Sequence, residues 1–371
     1  MRKIRILIVD DAVVIRRLLT DELSKDAHLE VVGAAANGRI ALAKIPQLNP
    51  DLVTLDIEMP EMNGLEALAV IRKQYPFLPV IMFSTLTERG ASETLEALSL
   101  GASDYVTKPA NVGSVTLAMK HIHQELVPKI KAFCGKAAGI NLSLAAPKPS
   151  AAIPLPQPRA RVKPPSQVEV VAIGVSTGGP NALAAIFPTF PADLPVPIVI
   201  VQHMPPVFTK ILAERLEQCS SLRVREGQSG ATLQPGCAWI APGGYHMIVE
   251  RHGTSVQLQT HQGPPENSCR PAVDVLFRSV ADVYGRETLA VVLTGMGQDG
   301  LRGCEPIHEA GGQILVQDEE SSVVWGMPGF VANSGLADKV IPQGHIGVEI
   351  TRRVMQGRLA RVGVLEARGE G

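Results

Sequence analysis

Residues 136–166 read KAAGINLSLAAPKPSAAIPLPQPRARVKPPS, with seven prolines, five basic residues and no acid. Proline lacks an amide donor and locks φ, so such a stretch cannot continue a helix or pair inside a sheet. Unstructured loops of this length are uncommon within one compact domain. The segment therefore reads as an extended, polyproline-like linker. It divides the chain into a unit at 1–135, a second unit at 167–358 and a tail at 359–371. Each unit has to bury its own core.

Both units alternate short apolar runs with amphipathic stretches. In the first, IRILIVD, EVVGAA, LVTLD, VIMFST and DYVT are the strand candidates, and Ala12–Ser24 and Gly113–Phe133 are helical in pattern. In the second, VVAIGVS, PIVIVQH, TLAVVLTG and QILVQD take the strand role. Such alternation implies βαβ units and parallel sheets covered on both faces, an α/β architecture throughout. Between Leu222 and Thr260 the runs are shorter, turn-bounded and partly alternating, so an antiparallel excursion is expected there. Aromatic residues make up only 4% of the chain against 45% apolar, which predicts aliphatic cores.

The formal net charge is −1 and no basic face is evident, which excludes a nucleic-acid footprint. Five scattered cysteines show no CxxC or Cys/His ligand spacing, so neither a disulfide framework nor a zinc site is expected. MRKIRILIVDDAVV is too acidic and too short in its apolar run for a signal peptide, and no run is long enough to insert in a membrane. A cytoplasmic protein is the expectation.

Ligands of open α/β sheets bind beyond the carboxyl ends of the strands. Asp10 and Asp11 end the first predicted strand, Asp56 the third and Ser84 the fourth, while Lys108 follows the fifth. Any of these acids alone could be a helix cap. Three carboxylates converging on one edge repel one another unless a cation lies among them, and oxygen-only ligands suit Mg²⁺.

VDD at 9–11, LDIEMPEMNG at 55–64, Ser84, and Tyr105 with Lys108-Pro109 make this half resemble a response-regulator receiver, with its flavodoxin-like five-stranded parallel sheet. The resemblance implies that Asp56 accepts a phosphoryl group from a sensor histidine kinase. It implies Mg²⁺ on Asp10, Asp11, Asp56 and the Glu58 backbone carbonyl, with Lys108 on the phosphoryl oxygens. Ser84 and Tyr105 would form the switch.

In the second half, VAIGVSTGGP allows three readings of Ser176: a phosphate loop, a helix cap or a nucleophile. No acid ends the next strand to hold a ribose and no lysine follows the glycines, so the phosphate loop falls away. GVSTG satisfies G-x-S-x-G between a strand and a probable helix. His203 ends the next strand ahead of a rigid Met-Pro-Pro, and Asp299 lies beyond TLAVVLTG at a helix start. Asp274, inside a helical run, and Asp318, after the following strand, are the rival acids. A Ser176–His203–Asp299 set would attack an ester carbonyl and hydrolyse the acyl-enzyme. Backbone N–H groups of the Ser176–Gly179 turn or the Met296 turn would receive the oxyanion. Ser176 could still cap its helix.

GVSTGGP, VQHMP, IAPGGYHM, CRPAVDVLF and LTGMGQDG follow one another behind the receiver. In that order they resemble the chemotaxis protein-glutamate methylesterases, the CheB family. The resemblance implies a doubly wound α/β methylesterase domain with an antiparallel hairpin insertion. It implies demethylation of glutamate methyl esters on the cytoplasmic part of methyl-accepting chemoreceptors, deamidation of their glutamines, and no esterase cofactor. It also places Met296 as oxyanion donor with Thr177 and Gly178 beside it, puts His246 and Arg270 in the substrate region, and has the unphosphorylated receiver block the esterase. A receiver with a DNA-binding output would instead need a basic helix-turn-helix.

Overall fold

The computed structural model of the protein describes residues 2–108, 115–135 and 167–366. The expected linker at 136–166 and the last residues of the expected tail, 367–371, lie outside them. The chain forms two compact units, Met1–Ala145 and Ala146–Gly371.

The first unit runs β1 (Ile4–Val9), α1 (Val13–Leu23), β2 (Leu29–Ala35), α2 (Gly38–Leu48), β3 (Leu52–Asp56), α3 (Gly64–Gln74), β4 (Val80–Ser84), α4 (Glu88–Ser99), β5 (Asp104–Thr107) and α5 (Val115–Cys134). The five strands are parallel in the order β2-β1-β3-β4-β5. Ile4, Ile6 and Ile8 of β1 pack with Leu19 and Leu23 of α1 and with Ile122, Leu126 and Ile130 of α5. Each such buried aliphatic side chain contributes about 2 kcal/mol. Local sequence sets the helix starts: Asn63 and Glu66 form a reciprocal capping box at α3, and the Thr87 hydroxyl accepts from Gly90 N–H at α4.

The second unit continues with β6 (Val170–Val175), α6 (Gly179–Ile186), β7 (Ile198–Gln202), α7 (Phe208–Gln218), β8 (Arg223–Glu226), β9 (Cys237–Ile240), β10 (His246–His252) and β11 (Ser255–His261). It is completed by α8 (Val273–Tyr284), β12 (Thr288–Val292), α9 (Leu301–Glu309), β13 (Gln313–Gln317), α10 (Met327–Asn333), β14 (Lys339–Ile341) and α11 (Gln343–Glu366). Seven strands form one parallel sheet in the order β14-β13-β12-β6-β7-β9-β8. Strand order reverses at β6, which lies between β7 and β12. That is the switch point at which an open parallel sheet leaves a crevice.

Three details differ from the sequence reading. Among the described strands only β10 and β11 pair antiparallel, whereas β8 and β9 join the main sheet in parallel. Both are four residues long, β8 at the sheet edge and β9 next to it, too short for their alternation to reveal direction. β14 adds an edge strand of only three residues. Helix α11 runs on to Glu366, through part of the segment expected to be a tail. All five cysteines are free. Among the described residues no helix is long and apolar enough to cross a membrane.

Candidate functional site

At the carboxyl edge of the first sheet, β1 delivers Asp10 and Asp11 and β3 ends in Asp56. One carboxylate oxygen from each lies within 4.8 Å of the others. Asp10 and Asp56 are buried, whereas Asp11 is exposed. The Lys108 ammonium stands 2.7 Å from Asp56 Oδ2 and 3.1 Å from Asp10 Oδ2. Apart from that ion pair, the two oxygens find no hydrogen-bond partner among the described residues. Burial pushes Asp56 up to about 6 against the pull of Lys108, and the neighbouring Asp10 charge adds to the rise. Burial likewise raises Asp10. Burial opposes the Lys108 charge, but its bonds to Asp56 and Asp10 outweigh that and raise its pKa. Three converging carboxylates, two of them buried, with Lys108 and the Ala12 N–H beside them, fit a hard, oxygen-ligated divalent cation, whose charge would reverse the cost of ionising them.

The remaining residues of this edge are placed unevenly. The Glu58 side chain is exposed, 3.9 Å from Arg89 Nε. Ser84 is buried, and its hydroxyl accepts from Thr94 Oγ1 at 2.6 Å and donates to the Gly90 carbonyl at 3.0 Å. It is thus committed to α4. Tyr105 is buried with the Lys129 ammonium 5.3 Å from its ring centre, and burial raises its phenol well above the usual value.

In the second sheet Val175 of β6 is in register with Gln202 of β7, so Ser176 and His203 occupy adjacent positions just past their strands. The Ser176 main chain is pinned on both sides. Its N–H donates to the Thr294 carbonyl at 3.0 Å, and its carbonyl accepts from Gly179 N–H at 2.8 Å and Gln202 Nε2 at 3.0 Å. Thr294 also donates its hydroxyl to the Thr177 carbonyl, and its N–H is held by Gln317 Oε1. The ends of β6, β7, β12 and β13 are thereby locked to one another.

The Ser176 hydroxyl makes no hydrogen bond among the described residues. The cap reading fails, because α6 starts at Gly179 with Gly178 as its cap residue. Gly178 has φ +79°, and a Cβ there would collide with Val323. On the opposite side a Cβ on Gly295 would lie 2.8 Å from Ser176 Cβ, so only glycine lets the loop after β12 close against the serine. The N–H groups of Thr177, Gly178 and Met296 find no protein acceptor among the described residues. They can receive developing negative charge, each donor being worth about 3–4 kcal/mol in such a role.

His203 Nε2 is 2.8 Å from Asp299 Oδ2, and its Nδ1 is 3.7 Å from Cys269 Sγ. No hydrogen bond joins His203 to Ser176 among the described residues. Burial disfavours the imidazolium, yet the bonds to Asp299 and Cys269 overcome it and raise His203 to about 10. Asp299 is buried, which opposes its charge. His203 and the backbone N–H groups of Val273 and Asp274 nevertheless hold it below the usual carboxylate range. An ionised acid fixing an imidazole beside an uncommitted serine hydroxyl can support nucleophilic attack and proton transfer.

Two residues expected in the substrate region are bonded to the main chain. His246 is 1% exposed, its Nδ1 accepts from Ala272 N–H at 3.2 Å and its Nε2 donates to the Pro264 carbonyl at 3.0 Å. Both ring nitrogens are bonded to the main chain, so His246 fastens the loop that follows β11. Arg270 Nη1 donates to the carbonyls of Gln262 and Gly263 and so braces the same loop, while its Nε finds no partner among the described residues. The rival Asp318 accepts from the N–H and hydroxyl of Ser321 in its own turn. Asn267 and Cys269, which touch the His203–Asp299 pair, were given no role by sequence reasoning, and Asp274 was weighed only as a rival to Asp299. They lie on or just after a turn whose sequence, PPENSC, has no periodicity to advertise them.

The family profile for CheB methylesterase matches residues 171–350, and that for the response regulator receiver domain matches residues 6–120. A protein-glutamate methylesterase/protein-glutamine glutaminase of Trichodesmium erythraeum is 56% identical over 95% of this chain and 100% of its own length. One from a Nocardioides species is 50% identical over 96% of this chain and 97% of its own. The CheB methylesterase catalytic domain of Thermotoga maritima, a crystal structure, is 41% identical over 50% of this chain and 99% of its own, with a TM-score of 0.49. A receiver unit followed by a parallel-sheet unit, matched end to end at half identity or better, means that the chain belongs to the CheB methylesterase family.

Proposed function

We propose that this protein is a phosphorylation-regulated serine esterase of the cytoplasm. It hydrolyses glutamate methyl esters on chemoreceptors, releases methanol, and deamidates receptor glutamines by the same route. The observation that carries this reading is the His203–Asp299 hydrogen bond at the ends of adjacent strands, beside the free hydroxyl of Ser176.

His203 takes the Ser176 proton as Oγ attacks the ester carbonyl, and Asp299 stabilises the imidazolium. The N–H groups of Met296, Thr177 and Gly178 hold the oxyanion. The imidazolium returns its proton to the leaving methoxide, or to the leaving amine of a glutamine. Water, activated by the same imidazole, then frees the glutamate and restores Ser176. The Ser176–His203 contact forms as substrate binds, since catalytic hydrogen bonds often tighten only in the complex.

Asp56 is the phosphoacceptor for a histidine kinase. Asp10, Asp11, Asp56 and the Glu58 carbonyl hold Mg²⁺, which when bound neutralises charge on the transferring phosphoryl oxygens. Lys108 moves from its carboxylate partners to those oxygens. Ser84 leaves Thr94 to donate to them, freeing space that Tyr105 can enter.

The test is methanol release from methylated receptor membranes by the full chain, with and without a small-molecule phosphodonor and Mg²⁺. The donor is expected to raise the rate several-fold. Chelating Mg²⁺ or substituting Asp56→Asn should remove that increase and leave the basal rate. Equal stimulation in Asp56→Asn would defeat the regulatory assignment, and no methanol under any condition would defeat the esterase.

A further inference from the structure

Helices α8 and α9 are capped by each other's acids. Asp299, which precedes α9, accepts the Val273 N–H on Oδ2 at 2.7 Å and the Asp274 N–H on Oδ1 at 3.0 Å, at the start of α8. Asp274, in the first turn of α8, accepts the Gly300 N–H at 2.9 Å and the Gly303 N–H at 2.7 Å on its Oδ1, at the start of α9. The two buried carboxylates are joined by one side chain. The Asn267 amide donates to Asp274 Oδ2 at 2.8 Å and to Asp299 Oδ1 at 2.9 Å.

Asn267 is delivered by a tight turn in which Glu266 and Cys269 exchange main-chain hydrogen bonds of 3.1 and 2.8 Å. Asn267 and Ser268 both adopt left-handed backbone, with φ of +52° and +64°. That conformation is costly for residues with a side chain and persists where the surroundings enforce it. The same turn puts Cys269 Sγ against His203 Nδ1. One four-residue turn thus reaches Asp299 through an amide and His203 through a thiol.

We propose that Asn267 and Asp274 are positioning residues of the esterase, together fixing the direction and the charge of Asp299 and, through it, the orientation and basicity of His203. The inference rests on the Ser176–His203–Asp299 reading. Of the Asp299 oxygens, Oδ2 faces the imidazole and Oδ1 is filled by Asn267 and backbone donors, so the carboxylate cannot rotate without breaking them. Asp274 adds a second negative charge behind the pair, and burial with the Asp299 charge pushes Asp274 itself up to about 6. The shared amide lets both acids stay in one buried place. Acidic partners held one shell behind a histidine tune its tautomer and basicity in the same manner at metal sites.

The experiment measures kcat and KM for methyl-ester hydrolysis across pH in the full chain, for Asn267→Gly, Asp274→Asn and the double variant. Glycine tolerates the left-handed backbone, so Asn267→Gly removes the amide without straining the turn. Each single variant is expected to lower kcat at least tenfold with KM changed less than threefold. In Asp274→Asn the rising limb of kcat/KM should move to lower pH, because a negative charge near the imidazolium is gone. The double variant should be less impaired than the product of the two single effects, since both act through Asp299. A general loss of folded protein would lower the rate at every pH and leave the limb in place, and that result overturns the proposal. So does a loss confined to KM. Ser176→Ala and Asp299→Asn are run beside them. Their inactivity with a wild-type Asn267→Gly and Asp274→Asn would refute this inference alone, whereas an active Ser176→Ala would refute the triad and this inference with it.

Discussion

Ser176→Ala is expected to lower methanol release by about 10⁴- to 10⁶-fold, the range seen when the nucleophile of a serine hydrolase triad is removed. The substitution deletes one oxygen that makes no hydrogen bond among the described residues, so no buried donor is orphaned. The serine main chain, held by Thr294, Gly179 and Gln202, needs no side chain to stay in place. Folding stability should therefore change by less than about 1 kcal/mol, and phosphorylation of Asp56 should proceed at the wild-type rate. Residual activity would come from the backbone oxyanion donors alone. Methanol release within tenfold of wild type would mean that the hydroxyl is not the nucleophile.

Asp299→Asn is expected to cost about 10⁴-fold in kcat, the loss seen when the orienting acid of such a triad becomes an amide. An amide keeps one acceptor oxygen where Asp299 uses two, Oδ2 for Val273 N–H and Oδ1 for Asp274 N–H, so one of those bonds is lost together with the charge that holds the imidazolium. The pH profile carries the sharper readout. A general base has to be unprotonated, and His203 is raised to about 10 by Asp299 and Cys269. In the wild type, kcat/KM should therefore climb with pH through the alkaline range and level near pH 10, after subtraction of uncatalysed ester hydrolysis. Losing the Asp299 charge removes the main cause of the rise. The limb should then fall toward the ordinary histidine value of about 6.5. A limb that stays where it was in Asp299→Asn would show that some other group titrates there.

The parallel sheets and the strand-end acids were legible because their signals are local. A run such as VVAIGV is apolar at every position only if both faces are covered, and β6 is buried from end to end. Parallel strands then bring Asp10 and Asp56 to one edge and Ser176 and His203 to another with no further information needed. The short strands β8, β9 and β14, at or next to the sheet edges, carried weaker signals. Four residues or fewer do not report whether the partner strand runs parallel or antiparallel. The bonding of His246 was not legible for a related reason. A histidine in a strand gives no sign of whether its ring nitrogens meet a substrate or, as here, the Ala272 N–H and the Pro264 carbonyl.

From its sequence alone this protein is two α/β units joined by a proline-rich stretch, the first ending its strands in carboxylates and the second in a serine and a histidine. Periodicity and strand ends are properties of a few neighbouring residues, and parallel pairing converts them directly into a shared edge. Tertiary structure alone decided which oxygen faces His203, how Asp274 and Asp299 cap each other's helices, and that Asn267 joins them. Those contacts connect residues 7 to 96 positions apart. They depend on the packing of α8 against α9 and on a left-handed turn, neither of which leaves a repeating pattern in the chain.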